Sequence, residues 1–294
     1  MNILSHLKSG AWRSVKAWRG IIIIWFLSLL LISLMGLPMK SGLRSLIGSS
    51  MITELLADNF NADVFIDLRA GLLSLLPALA SGFLLVFLFT FLMNAFFTGG
   101  LFAILSTKNS RQTTSHFFEA GASNFLSVLV IVLITDLIIL LTALIIGGIP
   151  VAILSASGSS EPGVTGKVIR IAIIVFALIL PLLILVADFA RAWQVVNDKN
   201  KPFKAIGFGF TTTFGTFLKS YPLMVILMLV QSGFGALVMT KLLSSKPVTG
   251  SGVFLFFIVS QILFLIRIML RAWRYGSVTS LMEDGINIKA VSQD

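Results

Sequence analysis

Six long apolar runs joined by polar connections set the frame of this chain, near residues 20–39, 71–106, 125–149, 168–196, 217–243 and 252–273. A bilayer core about 30 Å thick asks for roughly 20 consecutive apolar residues of helix, and each run reaches that length. The pattern predicts an all-α membrane protein with a transmembrane domain over 20–274, its six helices forming three hairpins. The joint SSKPVTGSG between the last two runs leaves room only for a tight turn, and SASGSSEPGVTG after the third is a flexible connection of turn-forming residues.

The runs differ in their irregularities. The second is longer than a span needs, with Pro77 near its start and Gly99 and Gly100 near its end. It is therefore tilted, continues past the bilayer, or divides into two helices. The third ends at Gly147, Gly148 and Pro150. The fourth has Pro181 in its interior, where a helix must kink or a neighbour must satisfy the freed carbonyl.

The connections carry patterns of their own. Residues 1–19 mix Leu4, Leu7, Trp12, Val15 and Trp18 with Lys8, Arg13, Lys16 and Arg19. That mixture predicts a short helix at a lipid surface, serving as a topology anchor or recognising anionic lipid. HFFEAG before the third run, with a cap at Ser115, and FKAIGFGFTTTFGTFLKSYP before the fifth predict further interfacial helices. Residues 40–70 repeat Leu46, Met51, Ile52, Leu55, Leu56 and Phe60 at near-helical spacing, an amphipathic segment on the opposite side. Its acids do not make a calcium loop: after Asp58 the third position is Phe60 and the sixth is Asp63, where an oxygen ligand and a turn glycine are needed. Residues 275–294 read as a polar tail.

Charge orients this scheme. Of the 22 Lys and Arg, seven (Lys40, Arg44, Arg69, Lys167, Arg170, Lys241 and Lys246) fall on one side and the other fifteen on the other. The excess of cations places both termini in the cytoplasm. The net charge of +10 belongs to this asymmetry, since the cations sit at the ends of apolar runs rather than in a basic domain with interleaved aromatics, and no nucleic-acid partner is expected. A hydrophobic share of 57% and a mean hydropathy of +1.01 lie well above the roughly 45–50% apolar share of soluble domains. The first run continues to about Met39 with no small-residue cleavage pattern, so it reads as a retained span rather than a secretory signal.

Candidate chemistry is sparse. The chain has no Cys, and its two His, His6 and His116, lie in no spaced ligand motif, so neither a metal site nor a bound cofactor is expected. No nucleophile elbow, phosphate loop or HExxH pattern occurs, which makes an enzyme the least expected class. Inside the spans, Asp136 lies eleven residues into its run, about 16 Å along the axis and near the midplane. An ionised acid there costs several kcal/mol unless it is paired, so Asp136 is expected to be neutral and hydrogen-bonded. Gln231 and Gln261, with Ser232 and Ser260 beside them, lie at comparable depth as partners. Two roles stay open for Asp136: a proton or cation relay, or a polar tie between helices worth about 1 kcal/mol. A second group, Asp188 and Arg191 on the fourth run with Arg267 and Arg271 on the sixth, predicts an ion-pair cluster at the inner face.

RAW closes the fourth run at Arg191–Trp193 and the sixth at Arg271–Trp273, and interfacial stretches precede the third and fifth runs, an echo of a twofold or threefold repeat. Read together, GSSMITELLADNFNADVFIDL, FFTGGL, HFFEAG, DFARAW and FLIRIMLRAWRYGS resemble, in that order, an uncharacterised family of bacterial six-span membrane proteins. The resemblance covers nearly the whole chain. It implies a multi-pass protein of the bacterial cytoplasmic membrane and brings no catalytic residues. Two functional readings follow: an accessory or scaffold component contacting lipid and a protein partner or a second copy, and a small transporter or permease subunit using Asp136.

Overall fold

The computed structural model describes residues 2–47, 62–106, 113–156, 162–197, 200–245 and 249–291, and every regular element among them is helical. In chain order these are α1 (Ile3–Lys16), α2 (Trp18–Ile47), α3 (Ala62–Leu105), α4 (Thr114–Ser123), α5 (Phe125–Ala143), a π-helical turn (Leu144–Gly148), α6 (Ile149–Ala156), α7 (Pro162–Asn197), α8 (Pro202–Gly215), α9 (Phe217–Ser244) and α10 (Gly250–Val291). Among the described residues five helices are long and apolar enough to cross a membrane, or six when α1 and the start of α2 count as one broken span.

The chain divides into two units, one of residues 23–94 and one of residues 1–22 with 95–294. In the first, the described part of α3 from Gly82 onward exposes Phe83, Leu84, Leu85 and Phe87, a surface suited to acyl chains rather than water. The acids of residues 48–61, and the side chains of 34–81, lie outside what is described. Residues 107–112, 157–161, 198–199 and 246–248 lie outside it too.

Element order in the chain has a period of three. Among the described residues a short helix, a one-residue break and two long helical segments recur as α1 to α3, α4 to α7 and α8 to α10. The breaks fall at Ala17, Asn124 and Thr216. Within the larger unit each short helix packs on the end of the long helix that closes a repeat: α4 on the last turns of α3, α8 on α7, and α1 on α10.

Close backbone approach explains why small residues stand at these crossings. A Cβ on Gly10 of α1 would lie 2.5 Å from the Ser277 amide nitrogen, one on Gly100 of α3 would lie 2.6 Å from the Phe117 carbonyl oxygen, and one on Gly209 of α8 would strike the Val186 carbonyl. In a bilayer, where burying apolar surface gives helices little reason to associate, such contacts supply packing that larger residues would prevent. Side-chain bonds complete the α1 seam: Trp273 Nε1 donates to the Leu7 carbonyl at 2.8 Å, and Arg13 Nη1 donates to Glu283 at 2.9 Å and to the Leu105 carbonyl at 3.2 Å.

Several expectations change at the level of single elements. The cap of α4 is Thr113, whose hydroxyl accepts from the His116 amide at 3.3 Å, rather than Ser115, which already lies within the helix. The third run does not stop at Gly147, Gly148 and Pro150; a π-helical turn absorbs the glycines and helix resumes to Ala156, with Pro150 the second residue of α6. The second run is one continuous helix, Ala62–Leu105. Pro181 lies inside an unbroken α7, and Tyr221 of α9 donates to the Leu178 carbonyl in the preceding turn at 3.0 Å. Residues 275–291 of the polar tail are helical and form the end of α10, with Tyr275, Val278, Leu281 and Met282 recurring on one buried face.

Candidate functional site

The larger unit carries a polar cluster where the ends of α3 and α7 meet the middle of α10. Asp188 of α7 is fully buried. Arg191, one turn on, donates to its Oδ1 at 3.1 Å, and Arg274 of α10 approaches its Oδ2 at 3.0 Å. The second contact lies off the N–H axis, leaving Arg274 Nε without an aligned acceptor, so it acts as a charge contact more than a hydrogen bond. Gln231 of α9 accepts from Arg274 at 3.4 Å and donates to the Leu270 carbonyl at 2.9 Å.

Beside this pair, Arg271 donates to the Tyr275 hydroxyl at 2.9 Å and to Thr98 of α3 at 2.8 Å. The buried Tyr275 ring stacks on Phe102 with centroids 4.4 Å apart, and the Arg271 and Arg274 guanidinium carbons lie 5.2 and 5.1 Å from the Tyr275 centroid. One carboxylate, three guanidiniums and two aromatic rings thus tie together helices from all three repeats. Arginine suits this place because its planar, weakly hydrated head can bind a carboxylate and lie against a ring at once.

The predicted ion-pair cluster contained Asp188, Arg191, Arg267 and Arg271. The structure brings Asp188 to Arg191, directs Arg271 to Tyr275 and Thr98, and leaves Arg267 exposed and away from Asp188. Arg274 takes the place expected of Arg267. All three cations lie on one stripe of α10, and helix register alone does not tell which of them reaches α7. Arg274, Tyr275 and Thr98 were missed, although two arginines beside an aromatic in RAWRYG are a signal for stacking.

Asp136 departs further from expectation. Its side chain is exposed, and among the described residues it makes no hydrogen bond or ion pair. Gln231, expected beside it, turns to α10 instead, and Gln261 is half-buried on α10. The charge that bears on Asp136 is Arg191 across the α5–α7 contact. At the same seam Ser127 of α5 donates to Asn200 at 2.9 Å and pins the α7–α8 turn, where Asn200 takes a φ of 43° that asparagine tolerates. Among the described residues no group of three His, Asp or Glu could hold a metal ion.

Geometry and composition define the class: an all-helical protein whose five or six long apolar helices suit a bilayer. No family model, curated protein or solved structure matches the chain.

Proposed function

We propose that this chain is a non-enzymatic accessory or scaffold component of a bacterial cytoplasmic membrane, with six spans and both termini inside. The observation that carries this reading is how the charges in the long helices are spent. Asp188, Arg191, Arg271 and Arg274 join helices from different repeats, and Asp136 and Arg267 are exposed. Charges on a transport route are expected to line a wet cavity inside the bundle; these either lock helices or meet the surroundings. The exposed side of α1 and the first residues of α2, with Leu4, Trp12, Val15 and Trp18 among Lys8, Lys16 and Arg19, supports a helix lying in the interface of an anionic leaflet. Gentle extraction followed by mass spectrometry of everything that stays bound tests the reading. A stoichiometric protein partner is the expected result, and a chain that retains only a small solute overturns it.

The recurrence of the three repeats, with a polar cluster at their junction, favours a second reading, since transporters place their sites at repeat interfaces. There Asp136 serves as a proton or cation relay. In that case Asp136→Asn abolishes flux in reconstituted vesicles with folding intact, and in the scaffold reading no flux depends on it.

A further inference from the structure

Two charged side chains are exposed in the middle stretches of the described long helices, Asp136 on α5 and Arg267 on α10. Other exposed charges on these helices, such as Lys167, Arg170, Lys219 and Lys241, stand close to helix ends, where water and headgroups are within reach. Neither Asp136 nor Arg267 makes an ion pair or hydrogen bond among the described residues. Each is costly in hydrocarbon, and each is the partner the other lacks.

Their depths correspond. Ile131 of α5 packs with Ala190 of α7, which sets the register of these two helices. Asp136 lies five residues beyond Ile131, so it stands level with about Leu185, roughly one turn beyond Asp188. On α10, Arg274 reaches Asp188, and Arg267 stands seven residues, about 10 Å, beyond Arg274 in the same direction. The reach of a long arginine side chain covers the remaining difference. The surfaces around both are apolar, with Leu133, Leu137 and Leu140 beside Asp136 and Ile262, Ile266 and Met269 beside Arg267.

We propose that copies of this chain associate within the bilayer through an ion pair between Asp136 of one copy and Arg267 of the next. The two surfaces differ, so the contact is head-to-tail: it closes into a ring where the rotation permits and otherwise extends. Out of water, a hydrogen-bonded carboxylate–guanidinium pair replaces two unpaired charges, which is what makes a second copy a better neighbour than lipid. The pairing stands on these two side chains and holds whether the chain is a scaffold or a transporter.

Two differently tagged full-length copies, expressed together, extracted in mild detergent and captured through one tag, test it. Wild-type copies carry the second tag through the capture. Asp136→Arg or Arg267→Asp in both copies lowers that capture by about tenfold or more, the scale of breaking a buried charge pair at an interface. Co-expressing Asp136→Arg copies with Arg267→Asp copies restores it, because every contact again holds one acid and one base. Asp136→Asn and Arg267→Gln, which introduce no like charge, lower capture while the thermal unfolding of each purified chain stays at the wild-type temperature. Capture that survives the single swaps, or a mixture that fails to restore it although both variants unfold as wild type does, overturns the proposal. So does unfolding of Asp136→Asn, since an exposed side chain without an internal partner has nothing in its own chain to lose.

Discussion

Asp188 and Asp136 stand on neighbouring helices about one turn apart in depth, and the chain treats them oppositely. Asp188 is sealed between Arg191 and Arg274, while Asp136 is exposed and, among the described residues, unpaired. Depth in the membrane therefore does not decide what an acid does; the cations brought to it by other helices do. The largest expected effect follows from Asp188. Asp188→Asn leaves two buried guanidiniums without their anion, and breaking such a pair costs about 3–5 kcal/mol. Thermal unfolding in detergent should show a loss of that size, together with exposure of the Phe102–Tyr275 stack to quenchers. A variant that unfolds as wild type does would mean that the guanidiniums find other acceptors.

Glycines of α8 sharpen the same contrast between packed and open surfaces. Gly209 sits against Val186 and Ala190, and Gly207, half a turn away, meets nothing within 4 Å. Gly209→Ala must push α8 off α7, and overpacking of this kind costs about 1–3 kcal/mol. Gly207→Ala meets no obstacle and gains up to about 1 kcal/mol of helix propensity. Opposite shifts in unfolding temperature are the expected outcome, and equal shifts would show that α8 does not rest on α7 as closely as Gly209 implies.

How much of this is legible in the amino-acid pattern depends on the kind of residue. The long helices and the short ones before the third and fifth runs are visible because apolar length and the mixing of aromatics with cations are local properties. The extension of α10 to Val291 was open to the same reasoning, since Tyr275, Val278 and Met282 keep helical spacing beneath a polar surface. Arg274 as the partner of Asp188 is different in kind: Arg267, Arg271 and Arg274 share one stripe, and the choice depends on how far α10 slides along α7. Asp136 fails for the same reason. Its sequence says that it needs a partner, and only packing shows that Arg191, the charge across the α5–α7 contact, bonds Asp188 instead.

A pH dependence should reside in the α1 seam. His6 is buried, 3.2 Å from Ser280 and 3.7 Å from Asp284. Burial pushes its imidazole below the ordinary value of 6.5, and the nearby Asp284 carboxylate only partly offsets this. The folded protein therefore holds neutral His6 more firmly than the unfolded chain does. Its contribution is fully present above about pH 6.5 and is lost as the pH falls through the lower folded value. The stability of the wild type against unfolding should fall between about pH 7 and 5 by roughly 1 kcal/mol or less, because a partly solvated pair is screened. His6→Gln should flatten that slope. A slope that persists in His6→Gln would place the titrating group elsewhere.

Asp136→Asn carries the smallest expected effect on the isolated chain, and that smallness separates the two acids. With no bond inside the protein to remove, the substitution should change the stability of the purified monomer by no more than about 0.5 kcal/mol, the range of exposed positions. Differential scanning in detergent of wild type, Asp136→Asn and Asp188→Asn side by side makes the comparison direct. If Asp136→Asn costs as much as a helix tie, about 1 kcal/mol, the carboxylate is bonded within its own chain and its outward position is wrong. If it costs nothing while Asp188→Asn is severe, one acid holds the protein together and the other is left to its neighbours in the membrane.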